Sequence, residues 1–334
     1  MKKLLFIFSI VLMAFSGYSQ SQKQDSRLLV ENQQLYRIIP EDAVVEILAG
    51  GYDWTEGPLW LPAEKKLVFS DIPSNSIYEW SEGAGTKLFL KPSGYTGTEK
   101  RGGETGSNGL LLNAAGELIL CQHGDRRMAK MNASLSNPKA NFGTLAGNFE
   151  GKKLNSPNDA ALHKNGRLYF TDPPYGLEQN VNDPAKELDF QGVYMLKENG
   201  ELVLLTKELT RPNGIAFSPD YSKIYVANSD PERAIWMVYD VSPEGMLING
   251  RVFFDATKMT GSLKGLPDGL KVHPNGWIFA TGPGGVLIFT PEGEHLGTIY
   301  TGEATSNCAF NDDYSELFMT ADDYLLRIKL KKDD

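Results

Sequence analysis

Six short segments of this sequence open with a side chain that could give an oxygen to a cation: Glu56-Gly57-Pro58, Asn108-Gly109-Leu110, Asn158-Asp159-Ala160, Asn213-Gly214-Ile215, Asp268-Gly269-Leu270 and Asn307-Cys308-Ala309. The leading residues are 52, 50, 55, 55 and 39 positions apart, and in four of the six the next residue is glycine. Brought together, Glu56, Asn158, Asn213 and Asp268 would offer two carboxylates and two amide oxygens, with Asn108 and Asn307 nearby. Hard oxygen donors of this kind suit Ca²⁺, and two carboxylates balance its charge. Mg²⁺, Mn²⁺ or Zn²⁺ are the alternatives, zinc being the poorest match. Asn-Gly and Asp-Gly are also ordinary turn pairs, which gives these residues a purely structural reading one at a time. A glutamate aimed into a channel is different, because a buried charge is costly unless a cation pairs with it.

The four histidines fit a zinc site no better. His163 and His273 fall in repeated turns, His295 in a polar loop, and only His123, just past a strand, is expected to face the site.

The spacing of the openings implies the elements that carry them. About seven residues after each comes a turn, as at Lys164-Asn165-Gly166 or Pro274-Asn275-Gly276, and then a five-residue apolar strand. Asn-Gly supplies the backbone that tight hairpins need. A third strand follows in every unit and a fourth in five; the sixth unit ends at Asp334 without one. Residues 43–48 form a strand without a unit and are expected to close the ring by pairing with the last blade. The predicted fold is therefore all-β, a six-bladed β-propeller of four-stranded blades over residues 43–334. The first strand of each blade then lines the channel, and the six leading residues meet at one end of it. Two long loops, 91–107 and 172–191, emerge on that face and are assigned to the rim of a substrate mouth.

Residues 1–20 have two lysines, an apolar run and a small-residue exit, the plan of a secretory signal peptide, and residues 21–42 read as an extended tail. The expected product is exported, periplasmic or secreted. Net charge is −9, and loss of Lys2 and Lys3 makes it −9 − 2 = −11. Such a chain is a poor binder of nucleic acid or anionic membrane, and a monomer or weak homodimer is expected. Cys121 and Cys308 sit in apolar strand patterns and read as buried thiols.

Several motifs in order carry a family resemblance: Trp54-Thr55-Glu56-Gly57-Pro58-Leu59-Trp60, Asn155-Ser156-Pro157-Asn158-Asp159, Tyr169 to Gly176, Arg211-Pro212-Asn213-Gly214, Pro267-Asp268-Gly269 and Ser306 to Phe310. The chain resembles the gluconolactonase, regucalcin (senescence marker protein) and luciferin-regenerating-enzyme family, in its exported bacterial gluconolactonase branch. The resemblance implies a propeller with a divalent metal, usually calcium, at the top of the channel. By motif, the metal-binding glutamate falls on Glu56, the ligand asparagine on Asn213, and the ligand and catalytic aspartate on Asp268. The asparagine that contacts metal or substrate falls on Asn158. Ser156 and Pro157 stand where animal members carry a substrate-loop arginine.

The expected activity is hydrolysis of sugar lactones, with a metal-polarised carbonyl and Asp268 as base or nucleophile. Asn108, His123, Tyr175, Asn228 and Asn307 are the expected substrate contacts. A phosphotriesterase-like or promiscuous esterase on the same site, and a non-catalytic calcium-binding propeller, are the competing readings.

Overall fold

The computed structural model describes residues 26–332. The putting-together of the sheet follows from apolar runs such as Leu67-Val68-Phe69, Leu118-Ile119-Leu120 and Ile278-Phe279-Ala280, which do not alternate with polar residues. Side chains on a strand point to opposite faces in turn, so an unbroken apolar run belongs to a sheet covered on both sides. Here Leu67 and Phe69 pack against Ala309 and Phe318 of the last blade, while Val68 packs against Leu110 and Leu120 of the second. The same holds round the ring: each of the six buried clusters joins two neighbouring blades.

The blades are six antiparallel sheets, with first strands at Thr55–Leu61, Ser107–Leu112, Ala160–Leu162, Pro212–Phe217, Leu270–Val272 and Thr305–Phe310. The sixth blade is completed by Glu46–Gly50, which pairs with Tyr324–Lys329. The ring thus closes with an N-terminal strand on the last blade, as the sequence implies. Cys121 and Cys308 are buried and free, in separate clusters.

The N-terminal segment differs from the expected tail. Arg27–Val30 adds a fifth strand to blade five by pairing with His295–Tyr300. Gln33–Arg37 follows as a 3-10 turn, and Leu35, Ile38 and Ile39 enter the cluster between blades five and six. With Leu28 packed against the same cluster, four apolar residues spread over a polar stretch are enough to dock it, because only one side of an added edge needs covering. The expected signal peptide, residues 1–20, lies outside the described residues.

Candidate active site

A one-residue bulge turns the leading residues toward the axis. In blade one Glu56 pairs with Ser70 and Leu59 with Val68, so three steps on the inner strand match two on its neighbour. The same offset occurs between Ser107 and Leu110 and between Pro212 and Ile215. A bulge bends the strand and re-aims a side chain. In blades three and five, Asn158 and Asp268 sit just before the regular ladder, their N–H groups donating to Thr171 and Thr281 carbonyls at 2.9 and 3.0 Å.

The glycines that follow are there for space. A Cβ on Gly57, at φ +49°, would lie 2.1 Å from the Asn108 carbonyl oxygen, and one on Gly214 would lie 2.2 Å from that of Asp268. Inner strands approach this closely because they bond across blades. Gly109 N–H donates to Asn158 O at 2.8 Å, and the Thr171 hydroxyl donates to Asn213 O at 2.7 Å.

At the channel mouth lies a cavity of about 580 Å³ whose wall includes Glu56, Glu104, Asn108, Asn158, Asn213 and Asp268. Tyr175, Trp54 and Ser229 complete the part used below. Asn108, Asn158 and Asp268 each have a buried Oδ1 without a hydrogen-bond partner. Burial pushes the Glu56 carboxyl up to about 8, against the pull of the Gly57 N–H, with Asp159 adding to the rise. Burial raises Asp268 well above the usual carboxylate range, and Glu56, Glu104 and Asp159 raise it further. Orphaned oxygens converging beside two uncompensated carboxylates fit a hard cation held by Glu56, Asn158, Asn213 and Asp268. Among the described residues no three His, Cys, Asp or Glu side chains gather as a metal cluster, so amide oxygens would have to share in holding such a cation.

Of the expected substrate contacts, Asn108 and Tyr175 line the cavity; His123, Asn228 and Asn307 do not. The Tyr175 phenol is raised by burial and by Asp268, and bonds with Ser229. His123 is fully buried behind Glu104, its Nδ1 2.9 Å from Glu104 Oε2. Asn228 is occupied elsewhere: Oδ1 accepts the Arg211 N–H at 2.8 Å and Nδ2 donates to Arg233 O at 2.9 Å. It is the blade-four counterpart of Asp71, which accepts from Trp54 N–H, and Asp172, which accepts from Asn155 and Ser156 N–H. These residues stand at or near the ends of second strands and clasp the segment leading into the inner strand of their own blade. Asn307 lies below the cavity, where its Nδ2 is 3.3 Å from Glu56 Oε2 and its Oδ1 accepts from Lys271 at 3.1 Å. Its role there is to orient Glu56.

Glu104, Ser229, Asp159 and Lys271 went unrecognised as individual site residues. Glu104 lies in the 91–107 loop assigned to the rim, where the sequence points to the region and not to the residue. Asp159 directly follows Asn158; it is buried, with Oδ2 unpaired. Burial raises its carboxyl while Lys271 lowers it.

Residues 54–323 match the SMP-30/Gluconolactonase/LRE-like region. The chain belongs to that family. A gluconolactonase of Zymomonas mobilis is 36% identical over 304 residues, covering 89% of this chain and 84% of its own. The solved gluconolactonase of Xanthomonas campestris superposes with a TM-score of 0.78 at 29% identity, covering 92% of this chain and 96% of that one. Regucalcin of Agrobacterium tumefaciens, described as a calcium-binding protein, gives a TM-score of 0.66 at 18% identity over 87% of this chain and 96% of its own, a likeness of fold. Within the family frame the cavity is at the end of the channel where the matched motifs converge.

Proposed function

We propose that this family member hydrolyses neutral, hydroxylated lactones of the sugar-lactone type at the channel mouth, using Ca²⁺. The observation that carries the reading is the composition of the cavity wall. Among its described lining residues are three carboxylates, Glu56, Glu104 and Asp268, and no Lys, Arg or His. A phosphorylated or carboxylated substrate would meet repulsion there, whereas hydroxyl groups find acceptors. The gluconolactonase relatives support lactones as the class.

A bound dication supplies Lewis-acid polarisation of an ester carbonyl. Glu56 and Asp268 provide its charge balance, and Asn158 and Asn213 its neutral oxygens. Asn307 and the Gly57 N–H hold Glu56 from behind, the latter at 2.6 Å. Asn213 bonds to Asp268 and, at 3.3 Å, to Ser229, fixing the opposite side of the ring. Asn108 and Tyr175 are left to bond the substrate. Export as a periplasmic or secreted enzyme remains the reading of residues 1–20, and processing at their end is checked by N-terminal sequencing of material from the native host.

The test is acid release from glucono-1,5-lactone and a lactone panel, after chelation and after return of Ca²⁺, Mg²⁺, Mn²⁺ or Zn²⁺, with spontaneous hydrolysis subtracted. Turnover restored by Ca²⁺ is expected. Hydrolysis of organophosphate esters but of no lactone would replace the reading with the phosphotriesterase one. No turnover on either, with Ca²⁺ still raising the melting temperature, would leave a binding propeller.

A further inference from the structure

We infer that Glu104 is a further catalytic residue, the carboxylate that takes the proton from the attacking water, with buried His123 as its positioning partner. The inference rests on the lactonase reading. It begins from an imbalance in the site: Glu56 and Asp268 are committed to the cation, and a carboxylate bound to a dication is a weak base. Glu104 is the remaining carboxylate of the wall, with a side chain 36% exposed toward the cavity.

Its placement is built. Residues 91–106 form no strand or helix between blades one and two, yet the loop is fastened at several points. Asn75 Oδ1 accepts from the N–H groups of Ser93, Gly94 and Tyr95 at 3.0, 2.7 and 3.2 Å. Asp125 accepts from Thr96 N–H and from its hydroxyl at 3.0 and 2.7 Å. Arg101 donates to the carbonyls of Gly124, at 2.6 Å, and Gly176. After Glu104 the chain is fixed again, Gly106 N–H donating to Ile72 O at 2.8 Å and Gly106 O accepting from His123 N–H at 3.1 Å. A loop ordered this fully holds its one cavity-lining carboxylate in a set position.

His123 is the second observation. It is wholly buried, neither ring nitrogen has a hydrogen-bond partner, and Nδ1 stands 2.9 Å from Glu104 Oε2, out of line for a hydrogen bond. A small rotation of Glu104 toward substrate or back would align the pair. Buried histidine nitrogens are ordinarily satisfied, so the gap points to a partner gained during turnover. The other charged or titratable groups facing Glu104 are Glu56, Asp268 and Tyr175.

In the step assigned, a water O–H bond breaks and its proton passes to the Glu104 carboxylate as the water oxygen bonds to the lactone carbonyl carbon. The bond from that carbon to the ring oxygen then breaks, and Glu104 returns the proton to the departing oxygen. The balance is lactone plus water to hydroxy acid, with Glu104 regenerated.

Glu104→Gln is measured at saturating Ca²⁺ with Glu104→Ala and His123→Gln. The expected result is a kcat lower by about 100-fold or more in Glu104→Gln, KM little changed, and the calcium-induced rise in melting temperature kept. The acidic limb of the pH–rate profile should vanish in that variant and move in His123→Gln. Added formate should restore part of the turnover of Glu104→Ala. A kcat within a few-fold of wild type overturns the inference and returns the proton to Asp268. A rise in KM confined to hydroxylated lactones, without formate rescue, also overturns it and makes Glu104 a hydroxyl anchor. Wild-type protein inactive on every lactone would remove the lactonase reading itself, and this inference with it.

Discussion

Asn307 of the last blade reaches across the ring seam to Glu56 of the first, its Nδ2 3.3 Å from Oε2, while its Oδ1 accepts from Lys271. One amide therefore ties a carboxylate of the cavity wall to the Lys271 ammonium, which lies outside that wall. Its neighbour Asp159 is eased by the same lysine. Replacing Asn307 by Ala should weaken calcium binding by about 10–100-fold, the usual cost of losing a group that orients a ligand. Calorimetric titration of the two proteins checks this; equal affinities would show that Glu56 needs no such support.

Glu56→Gln should separate metal binding from folding. Removing a buried, unpaired carboxylate relieves the metal-free protein, so its stability without metal should equal or exceed that of wild type. The gain on adding metal, about 2.7 kcal/mol for wild type at a hundred times Kd, should shrink or disappear. Thermal melts with chelator and with Ca²⁺ read both quantities. A variant stabilised by calcium as much as wild type would take Glu56 out of the ligand set.

Asp172 predicts a pH effect away from the metal ligands. Burial pushes its carboxyl up to about 7, despite N–H bonds from Asn155 and Ser156 at 2.8 Å each. A carboxyl with a folded pKa above the unfolded value holds its proton more tightly when folded. Its contribution is present in full below about pH 4 and is lost as pH rises through about 7, at no more than about 1.4 kcal/mol per pH unit. Asp172→Asn should flatten the wild-type slope between these limits in urea unfolding at constant Ca²⁺. Parallel curves for the two proteins would contradict the assignment.

Asn228→Ala should behave as a loss of fold support. Freeing the Arg211 N–H and Arg233 carbonyl should cost about 1–3 kcal/mol while KM stays near wild type. A higher KM with unaltered stability would restore the substrate role first expected for it.

The sequence shows the ring because the physics of the ring is local and repeated. Runs such as Leu317-Phe318-Met319 are apolar throughout since both faces of a blade are covered, and the oxygen donors recur at the blade period because each starts an inner strand. Asn228 differs for a related reason: by type and position its amide suits a substrate contact, and only the partners Arg211 and Arg233 show a clasp. Glu104 was hidden differently. The path of its loop is set by Asn75, Arg101 and Asp125, whose partners in the loop and beside it are mostly backbone groups with no residue signature. Arg27–Val30 escaped notice because an outer edge strand needs few apolar side chains.

The pairing of Glu46–Gly50 with Tyr324–Lys329 has a bearing on assembly of the molecule. Contacts between chain positions so far apart form only after the intervening loop entropy has been overcome, and such topologies fold slowly. Glu56 and Asn307, 251 residues apart, meet at the same seam. The site should therefore be among the last parts of the molecule to take shape, so that cation affinity reports a complete circle, and a chain stalled one blade short would stay blind to calcium.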